Sequence, residues 1–266
     1  DVVMVDTGNS YEGLCEYLGG KYISYTEEKP ITMNPFNITQ AELNIEKIDF
    51  LKNLILLIWK GSDTKITELE FRIVEQMVTD YYDAYFHGFD GYDPVQRENL
   101  HKTLIAAEKR KGRWNAENLP ELEQKVDSKI RLLEERRKAL KVNSLSFNTF
   151  YEYSCERLEL ICLENNITEI DYDKYTYMIQ PFYKGGNYDK ILNENVDTTL
   201  FSETFIVFEV DAIKENKKLF PIVTLIIMDV FLQKMRIKKN RKVLVIEEAW
   251  KAIASPLMAE YIKFMY

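Results

Sequence analysis

Short runs of consecutive apolar residues predict buried strands near both ends of the chain. The first run is Val2 to Val5 and the last is Val243 to Ile246. Four apolar residues in succession fit a strand that is buried on both faces, as the strands of parallel sheets are. Thr204 to Val210 predicts another strand, and the alternating stretch Lys21 to Thr26 predicts one more. Strands that alternate with helical segments indicate an α/β fold.

The middle of the chain carries its apolar residues at the spacing of helices instead. Thr39 with Glu42 forms a capping box, which predicts that a helix begins there. We therefore expect three parts. Residues 1–38 form the first part of a nucleotide-binding α/β core with a mostly parallel sheet. Residues 39–182 form a large all-helical insertion, and residues 183–266 continue the core and include its last strand.

Composition narrows the class of protein. The 266 residues carry a formal net charge of -8, and an acidic chain is a poor general binder of nucleic acid because that binding relies on neutralising phosphates. Three widely spaced cysteines and two histidines give no zinc-binding spacing and are typical of a reducing compartment.

No signal peptide opens the sequence. The longest apolar stretch, Leu219 to Met228, contains Pro221 and is shorter than the about 20 residues of a membrane span.

Two carboxylates, Glu247 and Glu248, directly follow the last predicted strand. Buried carboxylates need a cation, hydrogen bonds or water. At the carboxyl edge of a parallel sheet, where ligands of α/β proteins bind, such a pair can hold Mg²⁺ and orient a water, as in a Walker B strand. The alternative is that both acids only cap the next helix, from Ala249 onward. The segment alone leaves both interpretations open.

A phosphate-binding loop of the pattern G-x-x-x-x-G-K-[ST] is absent from the sequence. Gly19-Gly20-Lys21-Tyr22 is the nearest stretch, but Tyr22 replaces the hydroxyl residue that would reach Mg²⁺, and Lys21 begins a predicted strand. Either the chain is not a nucleoside triphosphatase, or the loop lies upstream of Asp1. The sequence opens on a strand and ends inside a helical pattern, so we expect it to be cut from a longer protein.

Four motifs in order carry a resemblance. They are Asp6-Thr7-Gly8-Asn9-Ser10-Tyr11, Gly19-Gly20-Lys21-Tyr22, Asn34-Pro35-Phe36 and Ile246-Glu247-Glu248-Ala249-Trp250-Lys251. Together they resemble the TraG-like conjugation ATPases of type IV secretion systems, in particular those of Bacteroides-type conjugative transposons. The resemblance implies a RecA-like P-loop NTPase core that is truncated here, with the phosphate-binding loop immediately before Val2 and the rest of the motor beyond Tyr266.

The resemblance also implies roles for individual residues. Glu247 falls at the Mg²⁺-associated acid, where related motors usually have Asp, and Glu248 falls at the catalytic acid that activates the attacking water. Independently of the resemblance, Asp6 ends the first predicted strand and would lie on the same edge. There it would help bind the cofactor indirectly, by hydrogen bonds to the groups that hold the metal, although a turn-forming Asp explains it as well. Ser10 is expected to be a helix cap rather than a ligand.

Basic and aromatic clusters have structural and functional interpretations. An arginine can complete a neighbour's active site in ring-forming motors, and the basic clusters are otherwise solvated faces. The candidates are Arg110, Arg113, Arg136 and Arg137. The cluster from Lys234 to Lys242 is expected to interact with the dipole of the preceding helix. An aromatic group is expected to pack in a helical core, with stacking on single-stranded nucleic acid as the alternative. It comprises Tyr81, Tyr82, Tyr85, Phe86 and Phe89.

The preferred hypothesis is therefore a fragment of a motor ATPase that uses ATP and Mg²⁺ to energise conjugative DNA transfer or assembly of the secretion apparatus. The fragment alone is expected to bind nucleotide weakly and to be inactive. The resemblance implies other type IV secretion proteins as partners, a homo-oligomeric ring, and a cytoplasmic location at the inner membrane. The alternative is a non-catalytic α/β interaction module of the conjugation machinery. Direct DNA pumping is a weaker option, since the sequence gives no strong nucleic-acid signal.

Overall fold

A parallel sheet is built from strands at both ends of the chain. The computed structural model describes residues 1–112, 118–237, 240–253 and 256–264. Within them the sheet has the strand order β2-β3-β1-β4, and every pairing is parallel. The strands are β1 (Val2–Asp6), β2 (Lys21–Ser24), β3 (Phe205–Glu209) and β4 (Val243–Ile246). All of the predicted strands are therefore confirmed, and β1 and β3 lie in the centre of the sheet.

Helices make up most of the remaining chain. Toward the two ends of the sequence they are α1 (Glu12–Tyr17), α2 (Ile45–Lys60), α8 (Asp189–Asn193), α9 (Leu219–Ile237), α10 (Ala249–Ile253) and α11 (Pro256–Phe264). Those of the central part are α3 (Glu68–Phe86), α4 (Pro94–Arg110), α5 (Leu119–Ala139), α6 (Phe147–Asn165) and α7 (Tyr172–Ile179). No helix in the described ranges is both long and apolar enough to cross a membrane.

The connections between strands run in opposite directions from the centre of the sheet. The path from β1 through α1 leads to β2 on one side, and the path from β3 through α9 leads to β4 on the other. Because such crossovers are right-handed, α1 and α9 lie on opposite faces. The point where the directions reverse is between β1 and β3, and the carboxyl ends of such strands border the usual ligand crevice of open α/β sheets.

Apolar residues that alternate between the two faces of the strands pack the sheet against its helices. Met4, Phe205 and Val207 share one face and pack with the buried Cys15 of α1. Val3 and Val5 point to the opposite face by the alternation of strands, and both are fully buried. Both faces of the central strands are thus covered, as their apolar sequences predict.

Two predicted helix starts are wrong in detail. The cap residue of α1 is Tyr11, not Ser10, and Tyr11 makes no side-chain cap hydrogen bond. The predicted capping box of Thr39 and Glu42 is present, but it encloses a single 3-10 turn, Gln40–Glu42. The α-helix begins later, where the Asn44 side chain accepts a hydrogen bond from the Lys47 amide. Asn44 caps this helix because its side-chain oxygen satisfies a free amide of the first helical turn.

The chain divides into two compact units. The first comprises residues 1–71, 146–148 and 178–266, and the second comprises 72–145 and 149–177. The first unit contains the whole sheet. Parts of the predicted 39–182 insertion, including α2, group with the sheet, and the division into an α/β core and a helical insertion stays a prediction.

The second unit has its own apolar core. Leucine, isoleucine and valine side chains of α4, α5 and α6 form one buried cluster, in which Leu104, Ile130 and Leu160 are at most 1% exposed. Tyr81 and Tyr82 are fully buried, and the Tyr81 ring packs edge-on against Phe150. Core packing, the default interpretation of the aromatic group, therefore holds for these two tyrosines, and burial excludes them from stacking on a nucleic acid.

Lys234 has a further role beyond the one expected for the basic cluster near the end of α9. It lies in the last turn of the helix, as a dipole interaction requires. Its side chain is also buried, and its ammonium group donates to the backbone carbonyls of Leu200 at 2.8 Å and Glu203 at 2.7 Å. A buried ammonium needs such acceptors, and these contacts fix the segment before β3. Lys238 and Lys239 lie outside the described residues.

Candidate functional site

Three carboxyl groups meet at the carboxyl edge of the sheet. Asp6 ends β1 and is the register partner of Glu209, which ends β3. Glu247 follows β4, whose last residue Ile246 pairs with Val5. The side chains of Asp6 and Glu209 are almost completely buried, at 0% and 2% exposure. We call Asp6, Glu209 and Glu247 the edge acids.

The edge acids accept hydrogen bonds from one short loop, the Thr7–Tyr11 turn. Its five consecutive backbone N–H groups all donate to these carboxylates. Thr7 donates to Glu247 Oε2 at 3.1 Å, and Asn9 donates to Glu209 Oε2 at 3.0 Å. Gly8, Ser10 and Tyr11 donate to Asp6 at 3.1, 2.9 and 3.1 Å. Successive amides of a turn form an anion-binding concavity, and here the anions come from three neighbouring strands of the same chain.

The two buried acids differ in proton affinity. Burial favours protonation of Asp6, but the amides of Gly8 and Tyr11, helped by neighbouring carboxyl groups, outweigh it and lower the pKa of Asp6 below its usual range. Burial raises the pKa of Glu209, and the adjacent negative charge of Asp6 raises it further. Within the pair, Glu209 therefore binds a proton more readily than Asp6 does.

Glu248 occupies a strained position immediately after Glu247. Its φ of 46° lies in the left-handed region, which is uncommon for a glutamate. Its carboxylate pairs with Lys251 Nζ at 2.8 Å, and the same ammonium contacts Glu215 at 2.7 Å. Residues in strained backbone conformations cluster at active sites, where the surrounding structure holds them. Both acids also directly precede α10, so the alternative that they only begin a helix is not removed by this geometry.

The edge acids suit a magnesium ion only as one part of its ligand set. No group of three or more His, Cys, Asp or Glu in the described ranges is arranged to hold a metal by itself. Both oxygens of Asp6 accept backbone amides. In P-loop NTPases, however, the protein contributes a single Walker B carboxylate, with a phosphate-loop hydroxyl and phosphate oxygens completing the site. A carboxylate is the right donor for Mg²⁺, and Glu247 fits that single role.

The arginine candidates differ in their surroundings. Arg136 pairs with Glu156 at 3.1 Å and with Glu159 at 2.7 Å. Arg137 pairs with Asp80 at 3.0 Å. These three ion pairs give both arginines structural roles in the second unit. Arg110 is in the last turn of α4, and Arg113 lies outside the described residues.

Sequence reasoning missed Glu209. It ends a buried parallel strand, as Asp6 does, and that shared position is the signal that could have found it. Its neighbours Phe208 and Val210 make it look like an isolated polar position in an apolar run. Only the order of the strands, which places β3 beside β1, brings Glu209 to Asp6.

A parallel sheet that carries acids at the carboxyl ends of its central strands is typical of nucleotide-binding α/β proteins. Comparison with known proteins identifies the family within this class. The TraG P-loop domain matches residues 1–118 and 84–266, which together cover the whole chain. The chain therefore belongs to the TraG P-loop domain family, which confirms the resemblance drawn from the motifs and the predicted α/β P-loop fold.

Among solved structures, the chain is similar to VirB4 of Thermoanaerobacter pseudethanolicus. The TM-score is 0.53 at 18% sequence identity, and the match covers 99% of this chain and 57% of VirB4. At this identity the similarity shows the fold. The chain thus corresponds to little more than half of the VirB4 chain. No curated protein sequence matches it.

Proposed function

We propose that this chain belongs to a motor ATPase of a conjugative type IV secretion system and supplies the Walker B part of its catalytic site. The observation that supports this most is the position of Glu247 and Glu248. They follow β4, which is parallel to β1, at the edge of the sheet where β1 ends in Asp6 and β3 ends in Glu209. Membership of the TraG P-loop domain family supports ATP as the nucleotide.

Each predicted site residue has a distinct role in this proposal. Glu247 would bind Mg²⁺, which when bound offsets the negative charge of the triphosphate. Glu248 would accept a proton from the attacking water and orient it. Asp6 would support the cofactor indirectly, because its hydrogen bonds shape the Thr7–Tyr11 turn beside Glu247.

Energy from hydrolysis would drive substrate passage or assembly of the secretion apparatus. The partners would be other type IV secretion proteins at the cytoplasmic face of the inner membrane, and the active form would be a ring of identical subunits. The net charge of -8 gives no support for a direct nucleic-acid contact by this chain.

Hydrolysis by the full-length protein tests the catalytic role. We expect Glu248→Gln to lower kcat by about 10²- to 10⁴-fold, because it removes the base without changing side-chain size. The matched control is Glu16→Gln on the exposed surface of α1, which should leave kcat unchanged. An unchanged rate of ATP hydrolysis and of DNA transfer in Glu248→Gln would favour the non-catalytic interaction module.

Nucleotide binding tests whether a phosphate-binding loop outside this sequence is required. Titration of Mg²⁺–ATP into this chain alone should give much weaker binding than titration into a form extended by about 40 residues at the N-terminus, because backbone amides and a lysine of that loop hold the phosphates. Equal and tight binding by both forms would contradict the proposal.

A further inference from the structure

The Thr7–Tyr11 turn contacts the Glu247 carboxylate. The Thr7 amide donates to Glu247 Oε2 at 3.1 Å. At the other end of the turn, the Glu247 carboxylate beside the Tyr11 hydroxyl raises the pKa of Tyr11. The hydrogen bond from Thr7 orients the Glu247 side chain, so a change in the shape of the turn would release the carboxylate or move it.

Glu209 holds the middle of the same turn. Asn9 has a φ of 53°, in the left-handed region, and its amide donates to Glu209 Oε2 at 3.0 Å. Asparagine tolerates this region better than most residues, but the conformation still persists only where surrounding contacts enforce it. The hydrogen bond to Glu209 is such a contact, because β3 is a buried central strand.

Glu209 also fixes a second segment that returns to the turn. Its Oε1 accepts the Asp211 amide at 2.6 Å. Three residues later, Lys214 Nζ donates to the Thr7 carbonyl at 3.4 Å. The carboxyl group of Glu209 therefore supports the turn directly at Asn9 and indirectly at Thr7, whose amide reaches Glu247.

We propose that Glu209 is a positioning residue for Glu247, acting through the Thr7–Tyr11 turn. In this arrangement Glu209 sets the shape of the turn, and the turn orients the carboxylate that would receive Mg²⁺. Asp6 lies between the two glutamates on β1 and holds the remaining amides of the turn. The inference rests on the proposed function, since it gives Glu209 a part in the same reaction.

Two substitutions in the full-length protein separate the steps of this argument. Glu209→Gln keeps the side-chain volume but offers one acceptor oxygen to two amides, so it loosens the turn. Tyr11→Phe removes the hydroxyl beside the Glu247 carboxylate and leaves the amides of the turn in place. We expect each to raise the Mg²⁺ concentration for half-maximal hydrolysis about tenfold, as loss of a ligand-orienting group does, with the KM for ATP at saturating Mg²⁺ unchanged. Deuterium exchange of peptides covering the turn should be faster in Glu209→Gln only.

Matched controls carry the same chemical changes elsewhere. Glu203→Gln alters a glutamate just before β3, and Tyr17→Phe alters an exposed tyrosine of α1. Both should match the wild type in Mg²⁺ requirement and exchange. If Glu209→Gln does not fold, Tyr22→Phe replaces it. That change removes only the hydroxyl 3.3 Å from Glu209 Oε2. It should raise the Mg²⁺ requirement and speed up deuterium exchange of the turn, each by less than Glu209→Gln is expected to.

The outcomes distinguish this proposal from the proposed function. The positioning role would be overturned if Glu209→Gln left deuterium exchange of the turn unchanged, or made it faster without changing the Mg²⁺ requirement. In either case, impaired hydrolysis by Glu247→Gln would leave the proposed function standing. A Glu247→Gln variant with the wild-type Mg²⁺ requirement would instead overturn the assignment of Glu247 itself, and the positioning role with it.

Discussion

Asp6 and Glu209 occupy the same register position on neighbouring parallel strands, and their buried carboxyl groups have pKa values shifted in opposite directions. Asp6 is stabilised as an anion by three backbone amides, and Glu209 beside it is stabilised in its neutral form. Two similar acids thus act differently because of the amides and charges around them.

This difference predicts a pH effect on stability. The pKa of Glu209 is higher in the folded protein than its usual value of 4.5. Such a group contributes stability that is complete below the usual pKa and is lost as pH rises through the folded pKa. The unfolding free energy of Glu209→Gln should therefore increase relative to the wild type as pH rises from the usual pKa of 4.5 through the raised pKa of the folded protein. Urea unfolding at a series of pH values measures this.

Asp6→Asn provides the comparison of opposite sign. The pKa of Asp6 is lowered by folding, so its contribution is present above the usual pKa and is lost as pH falls through the folded pKa. The destabilisation by Asp6→Asn should therefore shrink under acid conditions. A pH-independent difference between the wild type and Glu209→Gln would contradict the raised pKa of Glu209.

Gly20 is predicted to be intolerant of a side chain. A Cβ atom at Gly20 would lie 2.7 Å from the Phe205 carbonyl oxygen, which belongs to a strand and cannot move aside cheaply. Gly20→Ala should lower the unfolding free energy by about 1–3 kcal/mol. Gly13→Ala in α1 is the control, since nothing lies within 4 Å of its Cβ position, and it should raise stability by about 0.5–1 kcal/mol. Equal effects of the two changes in thermal unfolding would refute the close contact.

The backbone at Glu248 predicts a separation of stability from activity. Glu248→Asn and Glu248→Val both remove the carboxylate and should abolish hydrolysis equally. Asn adopts the left-handed conformation readily, whereas β-branched Val does not. We expect Glu248→Val to be less stable than Glu248→Asn by about 1–2 kcal/mol, measured by chemical denaturation. Identical stabilities would show that the turn relaxes at no cost.

Arg157 is predicted to be essential to the second unit. Its fully buried guanidinium contacts Asp80 at 2.7 Å and Glu164 at 2.8 Å. Arg157→Met leaves both acids without this partner and should cost about 3–5 kcal/mol. Arg136→Met, which breaks two ion pairs at the surface, should cost at most about 1 kcal/mol. Similar losses for both variants in denaturant unfolding would contradict the burial of the Arg157 network.

Local patterns were sufficient to predict the strands. Val2 to Val5 and Val243 to Ile246 are apolar without interruption, and that property belongs to each segment by itself. The parallel arrangement also followed, because helical segments separate the strands. The start of α2 was placed too early, since the box of Thr39 and Glu42 is equally compatible with a single turn.

Which residues form the candidate site depends on contacts between positions distant in sequence, so the site was only partly predictable. Glu247 and Glu248 stand out because they follow a strand directly. Glu209 contacts Asn9 across 200 positions of sequence, and no local signal specifies such a pairing. The carbonyl contacts of Lys234 were not predictable for the same reason, because these partners lie more than 30 residues before it.

In the proposed motor, the Thr7–Tyr11 turn would matter between rounds of hydrolysis. Its peptide dipoles already compensate the negative charge at the sheet edge, so loss of a divalent cation and product would leave no uncompensated anion in a low-dielectric interior. The nucleotide-free protein would then stay folded, and rebinding would be limited by the arrival of a new nucleotide instead of by refolding of the sheet edge.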